Sequence, residues 1–509
     1  MVDLYMICFT LFLICYTIIS RLHKSSSRNT FHLPPMPFRI PIIGHLHLLT
    51  SIPHQDLQKL SIQHGPIFRL FLGSTPWVVV SSPEAAKDIL KTNDSLFLDR
   101  PYNSVIDYFT YGSKGFVFAN HGPYWKFFKK ITMSKLLSST TLDHLLPMRR
   151  DEITCFIKYL YKKSKDGKSV KVEEDLMKLT SNVISRMFMN KRYPLEDDKS
   201  GDLPKVIGEI GEIIGKFNFS DHIWFCKHLD LQGYGKASKD IKRRFDILVD
   251  RILKEHEDAR QNKKDNNGEM KDMLNILLDI SEDDTMEVKL SRENIRVYIM
   301  DILSAGIDTT ALTIEWALAE LINHPNIIKK AVEEIDQVVG QNRLVQESDI
   351  PNLPYLQSIV KESLRLHPTL PMILKSSTQD CTIAGYHIPA KTNIFINVWS
   401  IGRDETHWES PLEFRPERFE ETQIDVRGRH YQLLPFGSGR RMCPGISLGL
   451  LMVHTILGSM IQCFDWRAEK DGNLTNTVDM EECPGITIPR ANPLVCIPVA
   501  RLDPIPLSN

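Results

Sequence analysis

The sequence predicts one large, mainly α domain with a smaller β part, and three observations predict it. Apolar residues recur at three- and four-residue spacing over 240–261, 291–323, 327–339 and 353–366, the pattern of helices with one buried face. Strand-like segments are shorter and fewer. The 509 residues are 42% apolar, 25% charged and 9% aromatic, enough to fill a large core, and no Gly/Ser- or Pro-rich linker divides the interior. The same numbers exclude a disordered or collagen-like chain. With 62 Lys and Arg against 63 Asp and Glu the net charge is −1, which excludes an electrostatic nucleic-acid binder.

In chain order, residues 4–19 are apolar apart from Thr10 and Thr17, and Arg21, Lys24 and Arg28 follow. Positive charge after the span predicts a retained transmembrane anchor over 1–21, with the rest of the chain cytosolic. The alternative, a cleaved signal peptide, lacks an Ala-x-Ala-like site. A basic, proline-rich hinge follows over 22–44, and Leu33-Pro34-Pro35-Met36-Pro37 reads as an extended strut. In the body, 45–509, segments 67–72 and 77–80 flank Gly73 as a hairpin, and 381–388 with 393–398 reads as a second. The charged run 254–272 reads as a helix end and a solvated loop. Nine cysteines are scattered without a Cys-x-x-Cys pair, so neither a disulfide framework nor a zinc site is expected.

One cysteine departs from the plain reading of a small buried hydrophobe. Around Cys443 the chain reads Phe436-Gly437-Ser438-Gly439-Arg440-Arg441-Met442-Cys443-Pro444-Gly445, and an apolar helical run follows over 446–461. Glycines there let backbone approach a ligand, and Pro444 suits a helix start. A helix N-terminus and a nearby arginine are expected to lower the thiol pKa and make it a metal ligand. Three further patterns share the chain with it. Ala305-Gly306-Ile307-Asp308-Thr309-Thr310 interrupts a good helix with a glycine that costs about 1 kcal/mol and with hydroxyls that compete for carbonyls. Glu362-x-x-Arg365 lies on one helix face ahead of Phe414-Arg415-Pro416-Glu417-Arg418-Phe419, and Trp125-x-x-x-Lys129 sets a cation one turn from an indole.

Together these resemble the cytochrome P450 family over essentially the whole chain. The resemblance implies a P450 fold, a haem-thiolate catalytic domain over 45–509 and a haem b whose iron is held by Cys443. It implies that Phe436 and Gly439 shape the cofactor loop, and that Arg441, Trp125, Lys129 and Lys375 hold the haem and its propionates. Asp308 and Thr309 would be the catalytic pair, an acid that relays protons and a hydroxyl that donates to bound oxygen. Glu362, Arg365 and Arg418 would form a buried structural network. No flavin or nicotinamide motif is present, so the resemblance implies electrons from NADPH through a separate NADPH-cytochrome reductase, at the endoplasmic reticulum membrane.

The chain is most similar to plant microsomal enzymes of flavonoid and isoflavonoid metabolism, with triterpenoid oxidases among the relatives. The implied activity is hydroxylation or desaturation of a hydrophobic flavonoid-type molecule. The alternatives are a triterpenoid oxidase, a haem-thiolate isomerase or dehydratase that uses no oxygen, and a haem-binding scaffold without turnover. The pocket is expected from 99–118, the middle of the Thr309 helix, 369–374 and 486–488. Tyr102, Tyr108, Phe109, Tyr111, Phe116 and Phe118 make its first segment aromatic, which suits either a flat phenolic ligand or a packing core of the loop itself. Three departures stand out: Lys375-Ser376 replaces the usual Arg-Glu, Asp308-Thr309-Thr310 with Leu374 argues against the aryl-migrating branch, and Gly449 replaces the usual alanine.

Overall fold

The computed structural model describes residues 32–193, 202–227, 229–262 and 271–507, with isolated positions between 6 and 17. Most of the anchor expected over 1–21, the first part of the hinge and most of the loop expected before 272 lie outside the described residues. The main helices include α1 (Pro53–His64), α2 (Ser104–Phe109), α3 (Pro123–Ile131), α4 (Leu146–Lys165) and α5 (Val172–Met189). They continue with α6 (Asp202–Gly215), α7 (Tyr234–Asn262), α8 (Arg292–Asn323), α9 (Pro325–Val338), α10 (Pro354–Leu366) and α11 (Ile446–Cys463). Strands are β1 (Ile67–Leu72), β2 (Thr75–Val80), β3 (Val170–Lys171), β4 (Met372–Ser376) and β5 (Cys381–Ile383). The rest are β6 (Tyr386–Ile388), β7 (Asn393–Asn397), β8 (Phe464–Lys470), β9 (Asn473–Thr475) and β10 (Val495–Ala500).

Contacts divide the chain into two compact units. The first holds the described residues up to Tyr102, Asn218–Gln232 and Met372–Ile401. Its sheet runs β1-β2-β7-β4, antiparallel at β1/β2 (Ile67 opposite Val80), parallel at β2/β7 (Trp77 opposite Asn393) and antiparallel at β7/β4. Gly73 turns the first hairpin at φ 59°, and a Cβ there would stand 2.1 Å from the His222 carbonyl oxygen, so both backbone angle and space require glycine. The second expected hairpin is redrawn: β5 pairs with β6 across Ala384 and Gly385, both at positive φ, while 393–397 joins the main sheet as β7. All five β7 residues are buried, so this run satisfies a central-strand position that a two-stranded ribbon cannot offer. The proline strut has no regular helix or strand of its own and is tied to β1, where the Arg69 N–H donates to the Pro35 carbonyl at 2.8 Å. Buried His45 accepts the Phe71 N–H on Nδ1 at 2.8 Å, which leaves Nε2 to donate to the Pro37 carbonyl at 3.1 Å.

The second unit holds Asn103–Phe217, Gly233–Pro371 and the chain from Gly402. Its centre is α8, 32 residues long, started by Ser291 and Asn294 in a reciprocal capping box. Both α8 and α11 are long and apolar enough to cross a membrane, yet they are 67% and 78% buried in protein over their most apolar windows. They are core helices of the body. Proline at the first turn starts α3, α9 and α10, where its missing N–H costs nothing. A second sheet, β3-β10-β8-β9, completes this unit.

Candidate active site

Helix α11 begins directly after the Cys443 loop, and glycine sets the loop's shape. Gly437 and Gly439 adopt φ 69° and 72°, a region that disfavours any side chain. The Cys443 N–H then closes onto the Phe436 carbonyl at 3.0 Å. Gly428 lies under the loop, where a Cβ would stand 2.7 Å from the Gly437 carbonyl oxygen, and the Ser438 hydroxyl donates to the Gly428 carbonyl at 2.7 Å. Sequence reading missed this support; its signal is a lone glycine in Arg427-Gly428-Arg429.

Burial pushes the Cys443 thiol pKa up, against a weaker downward pull from the Gly445 N–H. The expected lowering by arginine is absent, because Arg441 turns elsewhere: its guanidinium stands 4.3 Å over the Trp125 ring and donates to the Ala119 carbonyl. Cys443 nevertheless keeps part of its surface accessible. Trp125 carries Arg441 over its ring, and Phe116 stacks parallel at 6.3 Å. Lys129 lies 5.5 Å from the same ring and donates to the Arg440 carbonyl. Trp125 and Lys129, one helical turn apart, therefore meet Arg441 from a distant part of the chain.

On α8 the small-residue cluster resolves into separate jobs. Gly306 faces α5, where a Cβ would stand 3.0 Å from two carbons of Ile184, so this glycine serves helix packing. Ala305 is the exposed residue in the middle of a buried helix. The Thr309 hydroxyl donates to the Ala305 carbonyl at 2.7 Å, and Thr313 donates to the Thr309 carbonyl at 2.8 Å. Since a carbonyl only accepts, Thr309 presents a lone pair outward in this arrangement. Asp308, about 100° further around the helix, faces Gly211 of α6, and burial raises its pKa toward the proton-holding form. The expected pocket segments 369–371 and 486–488 reach α8 through Thr313 to Thr369 at 3.0 Å, Ile488 N–H to the Thr369 carbonyl at 3.0 Å, and Trp316 Nε1 to the Ile488 carbonyl at 2.8 Å.

Four rings of the aromatic loop are engaged by protein. Lys242 of α7 stands 3.4 Å over the Tyr111 ring and 4.7 Å over Tyr108, and donates to the Tyr108 carbonyl at 2.6 Å. Tyr111 donates its hydroxyl proton to Asp246, Phe109 is buried, and Phe116 is taken by Trp125. These four serve packing, and Phe118 stays partly accessible. The network expected behind the site is complete: Arg365 donates to both Glu362 oxygens at 2.7 Å, and Arg418 Nε reaches Glu362 at 2.9 Å, all buried. In the first unit Lys375 is buried on β4. Arg100, which sequence reading missed, donates to the neighbouring Leu374 carbonyl at 2.6 Å while burial pulls its pKa down to about 10.

A family model described as cytochrome P450 matches residues 34–497. The chain belongs to the cytochrome P450 family. It is 51% identical to cytochrome P450 93A3 of Glycine max, over 96% of both chains. It is 50% identical to 3,9-dihydroxypterocarpan 6A-monooxygenase of Glycine max over 95% of both, and 43% identical to beta-amyrin 24-hydroxylase of Glycine max over 98% of both. This P450 is therefore a monooxygenase with a haem-iron cofactor. The residues fit that group: a partly accessible thiol on a glycine-shaped loop, its pKa raised by burial, is neutral alone and becomes a competent thiolate ligand only beside a cationic metal.

Proposed function

We propose that this P450 hydroxylates or desaturates a flavonoid-type plant secondary metabolite, at the endoplasmic reticulum membrane, with electrons from NADPH passed through a separate reductase. The observation that carries the substrate class is the near-full-length likeness to the pterocarpan monooxygenase. Haem supplies the activation of dioxygen and the oxidation of a C–H bond. Cys443 would hold its iron in the loop framed by Phe436 and Gly439, and Arg441, Trp125, Lys129 and Lys375 would be the residues that bind the haem. Asp308, kept toward its protonated form by burial, is the proton store. Thr309 accepts a hydrogen bond as it stands and donates one when its hydroxyl turns from Ala305, so it passes a proton onward.

The likeness to the amyrin hydroxylase supports a second reading, a triterpenoid substrate. Feeding a flavanone, with NADPH and a plant reductase, to microsomes containing the protein tests the first reading; the C443A variant is the control. Loss of two hydrogens from the product identifies desaturation, and gain of one oxygen identifies hydroxylation. No turnover by a chain with an intact reduced-CO band rejects a flavanone as substrate and moves the assignment to pterocarpans or triterpenoids.

A further inference from the structure

Helix α8 carries a second carboxylate, Asp301, two turns before Thr309, and the oxygen-handling pair does not use it. Asp301 is 5% exposed. Its Oδ2 accepts the Val117 N–H at 3.3 Å, and the Phe116 N–H also points to the carboxyl. Both donors come from a turn that reaches the carboxyl only because residue 115 is glycine: a Cβ there would stand 2.9 Å from Val297 Cγ1 and 3.0 Å from Asp301 Oδ2. The same stretch is tied to the start of α8, where Lys114 pairs with Glu293 at 2.7 Å and its carbonyl is held by Tyr124, which Asn294 supports at 2.7 Å.

Positions 293/294, 297 and 301 recur every three to four residues, so one face of α8 carries the loop along its length. An aliphatic side chain at 301 would fill the space without the cost of a buried carboxyl, and burial lifts this carboxyl's pKa to about 7. What an aliphatic residue lacks is an acceptor for two successive N–H groups.

We propose that Asp301 is a positioning residue that fixes the 115–117 turn against α8 and thereby sets where Phe118 stands at the substrate. The placement of Phe118 rests on the reading above that this loop borders the substrate. Phe116 links the turn onward to the Trp125 ring, and the Ala119 carbonyl links it to Arg441.

The test uses the full-length, haem-loaded chain and reads hydrogen exchange at the Phe116 and Val117 amides. Asp301→Ala is expected to speed exchange there about tenfold. Asp301→Asn, which keeps a carbonyl acceptor, is expected to stay within about threefold of the parent. Gly115→Ala approaches the contact from the other side and is expected to speed the same amides with Asp301 intact. Unchanged exchange in Asp301→Ala and Gly115→Ala overturns the proposal. In flavanone turnover Asp301→Ala is expected to raise KM about tenfold with kcat less affected. Faster exchange with KM unmoved confines Asp301 to holding the fold and overturns the positioning role. Faster exchange with no turnover by the parent chain rejects the flavanone reading while the clamp on the turn stands.

Discussion

At Thr309 the hydroxyl proton is given to the Ala305 carbonyl, so the side chain works only as part of a helix turn that leaves Ala305 accessible. Thr309→Ala removes a hydroxyl that both accepts and donates. NADPH consumption is expected to continue while product falls at least about tenfold, measured as the ratio of product formed to NADPH oxidised; a ratio equal to the parent's would remove Thr309 from proton handling. Asp301 gives a prediction of a different kind. Its pKa stands near 7 in the folded chain and near 3.8 unfolded, so folding favours the protonated form. The carboxyl costs nothing below about pH 4, costs more as pH rises to 7, and reaches a plateau on the order of 4 kcal/mol above that. The groups around it do not offset this: Tyr124 and Tyr298 are held neutral by burial, and Lys114 is paired with Glu293. The melting temperature of Asp301→Asn relative to the parent is therefore expected to climb between pH 5 and pH 8, and a pH-independent difference would refute the assignment.

At the scale of elements, the contact between α5 and α8 decides the meaning of Gly306. The mid-helix glycine is disfavoured on propensity, yet Ile184 occupies the place of its side chain. Gly306→Val is expected to force the helices apart and to cost about 2 kcal/mol in urea unfolding, while Ile184→Ala in the same chain recovers part of that. Additive losses would mean that the two residues do not compete for space. The aromatic loop shows the same dependence on neighbours. Tyr108 and Tyr111 have the composition of a ligand-binding surface, but the Lys242 ammonium stands over both rings.

At the scale of the second unit, Glu362 is the one carboxylate shared by Arg365 and Arg418, and Arg365 also donates to the Gly402 and Pro411 carbonyls. This joins α10 to the segment that leads toward the cysteine loop. Glu362→Ala leaves two buried guanidinium groups without that partner, a loss of roughly 3–5 kcal/mol. The expected outcome is a chain that fails to accumulate with a reduced-CO band, at low and high salt alike, since burial shields the network from screening. A normal band would show the network to be dispensable.

The sequence by itself determined the helical body, because 3.6-residue periodicity, proline at helix starts and a serine cap are local signals that act before any long-range contact forms. It also determined the cysteine loop, where glycine spacing dictates backbone angles directly, and the Glu362 network, whose two halves are short motifs. Tertiary structure alone decided three things. It moved 393–397 from a ribbon into the centre of a sheet, because burial on both faces is a property of neighbours. It buried Cys443, which raises the thiol pKa, and it drew Arg441 to the Trp125 ring and the Ala119 carbonyl, so the expected arginine effect does not oppose the rise. It brought Asp301 to Gly115 across 186 residues of chain, a contact with no periodic or motif signature, since only packing places a buried carboxyl within reach of another segment's backbone.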